Sequence, residues 1–119
     1  MKFPRRKYLF YYITGFIDGE GSFSISVKRQ AGTRFGWVLD PVFSVSQSAS
    51  AVEVLEMLRD AFQCGRIQDK HGSPGVKEFI VDNRRQLLEK VIPILRRYKL
   101  TVKRNSFDLF AEVVESLEK

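Results

Sequence analysis

Hydrophobic positions change period several times along the 119-residue chain, and each change marks an element. Between residues 8 and 20, Leu9, Ile13, Phe16 and Ile17 fall near one face of a helix. Tyr8, Tyr12, Gly15 and Gly19 form a second stripe on the same helix, and Gly21 predicts its stop. Residues 22–30 then alternate, with Phe23, Ile25 and Val27 pointing one way and Ser22, Ser24, Ser26, Lys28 and Gln30 the other, the period of a strand. A turn over 31–34 leads to a second strand over 35–47, with Trp37, Leu39, Phe43 and Val45 inward and Pro41 predicting a bulge or an edge. Ser50-x-x-Glu53 predicts a capping box for a helix that buries Ala51, Leu55, Leu58 and Phe62. Strands over 66–71 and 76–82, with Ile67, Phe79 and Val81 inward, flank a turn at His71–Gly75. Asn83-x-x-Gln86 predicts a second cap, for a helix to about Tyr98 that Pro93 bends. A last helix is expected over 102–117, burying Phe107, Phe110, Val114 and Leu117.

The order αββαββαα predicts an α+β fold in one domain, residues 1–119, with helices covering one face of an antiparallel sheet. The other sheet face would carry Ser24, Ser26, Lys28, Gln30, Ser44, Ser46, Arg66, Gln68 and Lys70. A solvated polar face is ordinary for such a sheet. Here long donors and small hydroxyls dominate, a set suited to phosphates and base edges.

Composition sharpens that reading. Twenty Lys and Arg against fourteen Asp and Glu give a net charge of +6, which favours a polyanionic partner. A lone cysteine, Cys64, excludes an internal disulfide or a cysteine zinc site and points to an intracellular, reducing compartment. The one histidine, His71, excludes a clustered-histidine metal site. No apolar run is long enough to span a membrane, and no export signal is expected.

The first helix carries the candidate chemistry. Gly15-x-x-x-Gly19 strips side chains from one stripe, at roughly 1 kcal/mol per glycine relative to alanine. Either the chain's own core or a second helix approaches closely there. Glu20 ends the helix at the negative end of its dipole, an unfavourable place for a carboxylate. A bound cation would remove the conflict; the alternative is a solvated glutamate, with Asp18 the more exposed acid.

Ile13-Thr-Gly-Phe-Ile-Asp-Gly-Glu-Gly21 resembles the motif that names the LAGLIDADG homing endonuclease family. Gly15, Asp18, Gly19 and Gly21 match, Phe16 and Ile17 match in kind, and Glu20 stands at the second acid. With the αββαββ order, the resemblance covers nearly the whole chain. It implies a single-motif, homodimeric endonuclease making metal-dependent double-strand breaks at a long pseudo-palindromic DNA site. Tyr8, Tyr12, Gly15 and Gly19 would form the dimer interface. Glu20, beside Gly19, would bind Mg²⁺ or Mn²⁺. Gln47, at the end of the second strand, and Lys103, before the last helix, are similar to the family's other catalytic positions, with Lys99 and Arg104 as nearby rivals. Ser24, Ser26, Lys28, Gln30, Arg34, Ser44, Arg66, Gln68 and Lys70 would contact DNA. The family's homes, bacterial or archaeal cytoplasm or an organelle encoding the gene, agree with the reducing compartment. Some relatives carry an arginine four residues after the glutamine, where this chain has Ala51. Two other uses share the scaffold: a maturase that binds intron RNA, and a DNA-binding regulator that does not cut.

Overall fold

The strand alternation and the helical periods build an antiparallel sheet covered on one face by helices, in a computed structural model that describes residues 1–33 and 35–118. The elements are α1 (Arg6–Glu20), β1 (Gly21–Arg29), β2 (Trp37–Ser48), α2 (Val52–Phe62), β3 (Arg66–Asp69), β4 (Val76–Val81), α3 (Arg84–Gln86), α4 (Ile92–Arg97) and α5 (Arg104–Leu117). A π turn over Leu87–Val91 joins α3 to α4, so the two form the one bent helix expected before Tyr98. Pro93 directly follows this π turn, which closes through Ile92 N–H to Leu87 O, so the irregular turn falls where proline supplies no N–H.

The strand order is β1-β2-β4-β3, all antiparallel. The β1–β2 register is unbroken from Gly21↔Val45 to Arg29↔Trp37, so Pro41 makes no bulge. The β4 ladder ends at Phe43↔Val81, which leaves Pro41 on a stretch with one neighbouring strand, the edge setting it tolerates.

The core lies between the sheet and α1, α2, α4 and α5. Phe43, Phe62, Phe79 and Phe110 are fully buried there among Ile13, Ile17, Leu55, Leu58 and Leu87. Phe23 ties β1 to α5, with ring centroids 5.4 Å from Phe107 and 5.3 Å from Phe110.

Several local expectations change. Ser50 does not cap α2: Ser48 Oγ accepts from the Ser50 N–H at 3.3 Å and opens a short 3-10 turn, and Ala51 stands at the N-cap without a side-chain bond. Asn83 does cap α3, its Oδ1 accepting from Gln86 N–H at 3.0 Å. Val27 and Trp37 keep the inward parity of their strands yet remain 59% and 54% exposed, because the far end of the β1–β2 hairpin projects beyond the helices. The last helix begins at Arg104 rather than at residue 102.

Candidate active site and nucleic-acid interface

The end of α1 is where most of the predicted chemistry gathers. Ile13 and Ile17 pin the inner face of α1 to the core. Thr14 anchors it sideways, donating to the Tyr98 carbonyl at 3.1 Å. The helix then passes directly into β1, because Gly21 leaves no room for more: a Cβ there would lie 2.8 Å from both Ile17 Cγ2 and Ile17 O. This abrupt junction places Asp18, Gly19 and Glu20 at the edge of the sheet.

Asp18 is not the more exposed acid. Its carboxylate accepts from the backbone N–H groups of Thr101 (3.1 Å), Val102 (3.0 Å) and Lys103 (2.9 Å), fixing the segment that leads into α5. Desolvation opposes the charge, but those three amides and the Lys103 ammonium outweigh it and hold the carboxyl below its ordinary value. Asp18 is therefore a structural acceptor. Glu20 is exposed, and among the described residues its carboxylate has no hydrogen bond or ion pair.

Lys103 completes the arrangement. Its ammonium donates to the carbonyls of Asp18 (3.0 Å) and Gly19 (3.2 Å), the last turn of α1. A cation there offsets the negative end of the helix dipole. Lys99 and Arg104 make no such contact among the described residues. Gln47 is half-buried near the end of β2, two residues past Val45, the Cα partner of Gly21. The strand register therefore brings Gln47 beside the α1–β1 junction, and half-buried Ala51 follows at the start of α2.

Hard divalent cations favour oxygen donors, which the Glu20 carboxylate and the Gly19 carbonyl supply. They are too few for a closed cage. Among the described residues, no three His, Cys, Asp or Glu cluster to hold a metal. The donor set would suit a hard cation only with further oxygen ligands from outside this chain.

The outer stripe of α1 faces away from the chain's own core. A Cβ built on Gly15 or Gly19 would meet nothing within 4 Å. This removes the alternative that the glycines accommodate the chain's own core. Tyr8 and Tyr12 flank them, 55% and 38% exposed.

On the outer sheet face, Ser24, Ser26, Lys28, Arg66 and Gln68 are exposed and Ser44 is partly so, while exposed Gln30 and Lys70 lie just past the ends of β1 and β3. Arg34 lies outside the described residues. The face is not composed of donors alone. Lys28 pairs with Asp40 at 2.8 Å, and that hydrogen bond raises the lysine's pKa. Arg66 forms a two-pronged pair with Asp82, at 2.9 and 3.0 Å, which lowers the carboxyl's pKa and raises the guanidinium's. Gln68 donates to Glu78 at 3.3 Å. These acids were missed from sequence, although continuing the β4 alternation outward from Phe79 and Val81 reaches Glu78 and Asp82.

Comparison with known proteins places this geometry. The family model for LAGLIDADG endonuclease matches residues 13–114. The chain is 42% identical over 87 residues to DNA endonuclease I-CeuI of Chlamydomonas moewusii, covering 73% of this chain and 40% of that protein. It is 38% identical over 106 residues to homing endonuclease I-ApeII of Aeropyrum pernix, covering 89% of this chain and 62% of that one. The chain thus spans less than two thirds of the length of either relative. Among solved structures, the archaeal intron-encoded homing endonuclease I-Vdi141I complexed with DNA superposes with a TM-score of 0.88 at 39% identity, over 96% of this chain and 71% of that one. The group I intron-encoded homing endonuclease I-CeuI complexed with DNA gives 0.84 at 34% identity, over 92% and 55%. A family model that matches residues 13–114, and a relative 38% identical over 89% of the chain, show that the chain belongs to the LAGLIDADG endonuclease family.

Proposed function

We propose that the chain acts as one subunit of a homodimeric, site-specific DNA endonuclease that hydrolyses one phosphodiester in each strand of a pseudo-palindromic site. The observation that carries this reading is the pairing of an unpartnered Glu20 with an open glycine stripe on the same helix. Two such helices, packed through Gly15 and Gly19, bring two Glu20 carboxylates to a two-fold axis. Shared Mg²⁺ or Mn²⁺ would there supply an activated water and charge stabilisation of the leaving oxygen. Glu20 and the Gly19 carbonyl would hold that metal. Lys103 fixes the carbonyls at the helix end and adds positive charge near the phosphate. Gln47 orients water or phosphate by hydrogen bonding. The outer sheet face grips the duplex, since a twisted antiparallel ribbon fits the major groove.

The test uses a plasmid library with randomised pseudo-palindromic inserts, incubated with Mg²⁺ and, separately, Ca²⁺, with Glu20→Gln as control. The expected result is linear plasmid in Mg²⁺ that the control does not produce, with the site read from the ends. Tight duplex binding without cutting would overturn the enzyme in favour of a regulator. Preference for intron RNA over duplex would favour a maturase, because side chains cannot enter the narrow RNA major groove.

A further inference from the structure

Gln68 and Arg66 occur in a continuous hydrogen-bonded chain on the outer sheet face. Asp82 Oδ1 and Oδ2 accept from Arg66 Nη1 (2.9 Å) and Nη2 (3.0 Å). Arg66 Nε donates to Gln68 Oε1 at 3.1 Å, and Gln68 Nε2 donates to Glu78 Oε1 at 3.3 Å. The strands impose this order. Gln68 pairs with Glu78 and Arg66 with Ile80 across β3–β4, and Asp82 follows the end of β4.

The chain has only one self-consistent direction. A guanidinium donates and cannot accept; an ionised carboxylate accepts and cannot donate. Gln68 therefore turns its oxygen to Arg66 and its nitrogen to Glu78. Arg66 has used both prongs of its end-on fork on Asp82 and its Nε–H on Gln68. Its two remaining N–H groups lie on opposite edges of the guanidinium and cannot form a second fork toward a guanine. Gln68 keeps one lone pair on Oε1 and one hydrogen on Nε2. One acceptor and one donor on a single held amide match in kind the N6–H donor and N7 acceptor of adenine in the major groove.

Stability does not account for the network. The Arg66 and Asp82 side chains are 53% and 37% exposed. Exposed ion pairs contribute little to folding, and two acids on a surface that meets phosphates would oppose binding. Orienting a reading side chain is a use that requires the acids there.

We propose that Asp82 and Glu78 are positioning residues for base recognition: acting through Arg66 and directly, they fix the Gln68 amide so that it selects adenine at one position of each half-site. This rests on the DNA-contact role proposed above for the sheet. The test is selection of bound duplexes from a random pool in Ca²⁺, followed by sequencing, for the unmodified chain and for Gln68→Ala, Glu78→Ala and Asp82→Asn, with a thermal midpoint for each. Gln68→Ala should erase an adenine preference at one position per half-site. Glu78→Ala and Asp82→Asn should lower that same preference about tenfold, leaving other positions and the thermal midpoint unchanged. Tighter overall binding of the acid variants with the preference intact would overturn the proposal, since that is mere removal of repulsion. So would a relaxation spread evenly over the site, or a base other than adenine at the Gln68 position. If the unmodified chain selects no sequence at all, the DNA-contact reading falls and takes this one with it; if it selects a site that the acid variants read equally well, only the positioning role falls.

Discussion

Helix α1 contains two sets of residues that differ in what the chain does with them. Ile13, Thr14, Ile17 and Asp18 are each buried in the core or bonded within the chain, and Gly21 at the helix end is glycine because Ile17 fills the space of a side chain. Gly15, Gly19 and Glu20 have nothing in the chain to explain them: two glycines face open space and the acid has no partner among the described residues. Glycine therefore occurs for opposite reasons within seven residues. The same contrast separates two carboxylates two positions apart. One is consumed by the fold, and the other has no partner in it among the described residues.

Substitutions should divide along that line. The largest effect is expected for Glu20→Gln, which should lower DNA cutting more than about a hundredfold, beyond the loss typical of a metal's outer-shell partner, with the thermal midpoint of the chain unchanged. A parallel fall in the midpoint would place Glu20 with the structural set. Gly19→Leu should abolish dimerisation, read by sedimentation at concentrations where the unmodified chain associates. As glycine is a poor helix former, Gly15→Ala should stabilise the isolated chain by up to about 1 kcal/mol while weakening association. Association untouched by either change would break the comparison at its centre.

Gly21→Ala should act in the opposite sense, costing about 1–3 kcal/mol of stability through overpacking against Ile17, measurable by denaturant unfolding. Asp18→Asn should cost about 1 kcal/mol, with a pH signature. The folded carboxyl titrates below its ordinary value of 3.8, so its stabilisation is fully present above that value and is lost as pH falls through 3.8 toward the lowered one. Asp18→Asn should remove that part of the acid-induced loss of stability, which acid titration of the two chains compares.

The element order and the outward glycine stripe were legible in the sequence because both depend on local periodicity. Glu20, Gln47 and Lys103 were singled out only through the motif and its resemblance; the structure brings the Lys103 ammonium to the carbonyls at the end of α1 and sets Gln47 two residues past the Cα partner of Gly21. Asp18 was misjudged because its three donors lie 83–85 residues away. Alternation gave the facing of Val27 and Trp37 but not their exposure, which depends on how far the hairpin outruns the helices above it. Ser48 displaced Ser50 as the cap because the turn after β2 closes earlier than the apolar pattern of α2 indicates.

Cys64 also has a practical consequence. It is the only thiol in the sequence, it is 8% exposed, and burial raises its pKa above the ordinary value. Maleimides and oxidants attack accessible thiolates, so the native chain is close to silent toward both. A single cysteine introduced at exposed Tyr8 would then be the one reactive handle on the molecule. Spin or fluorescent labels placed there would report whether two copies of α1 come together, without background from the core.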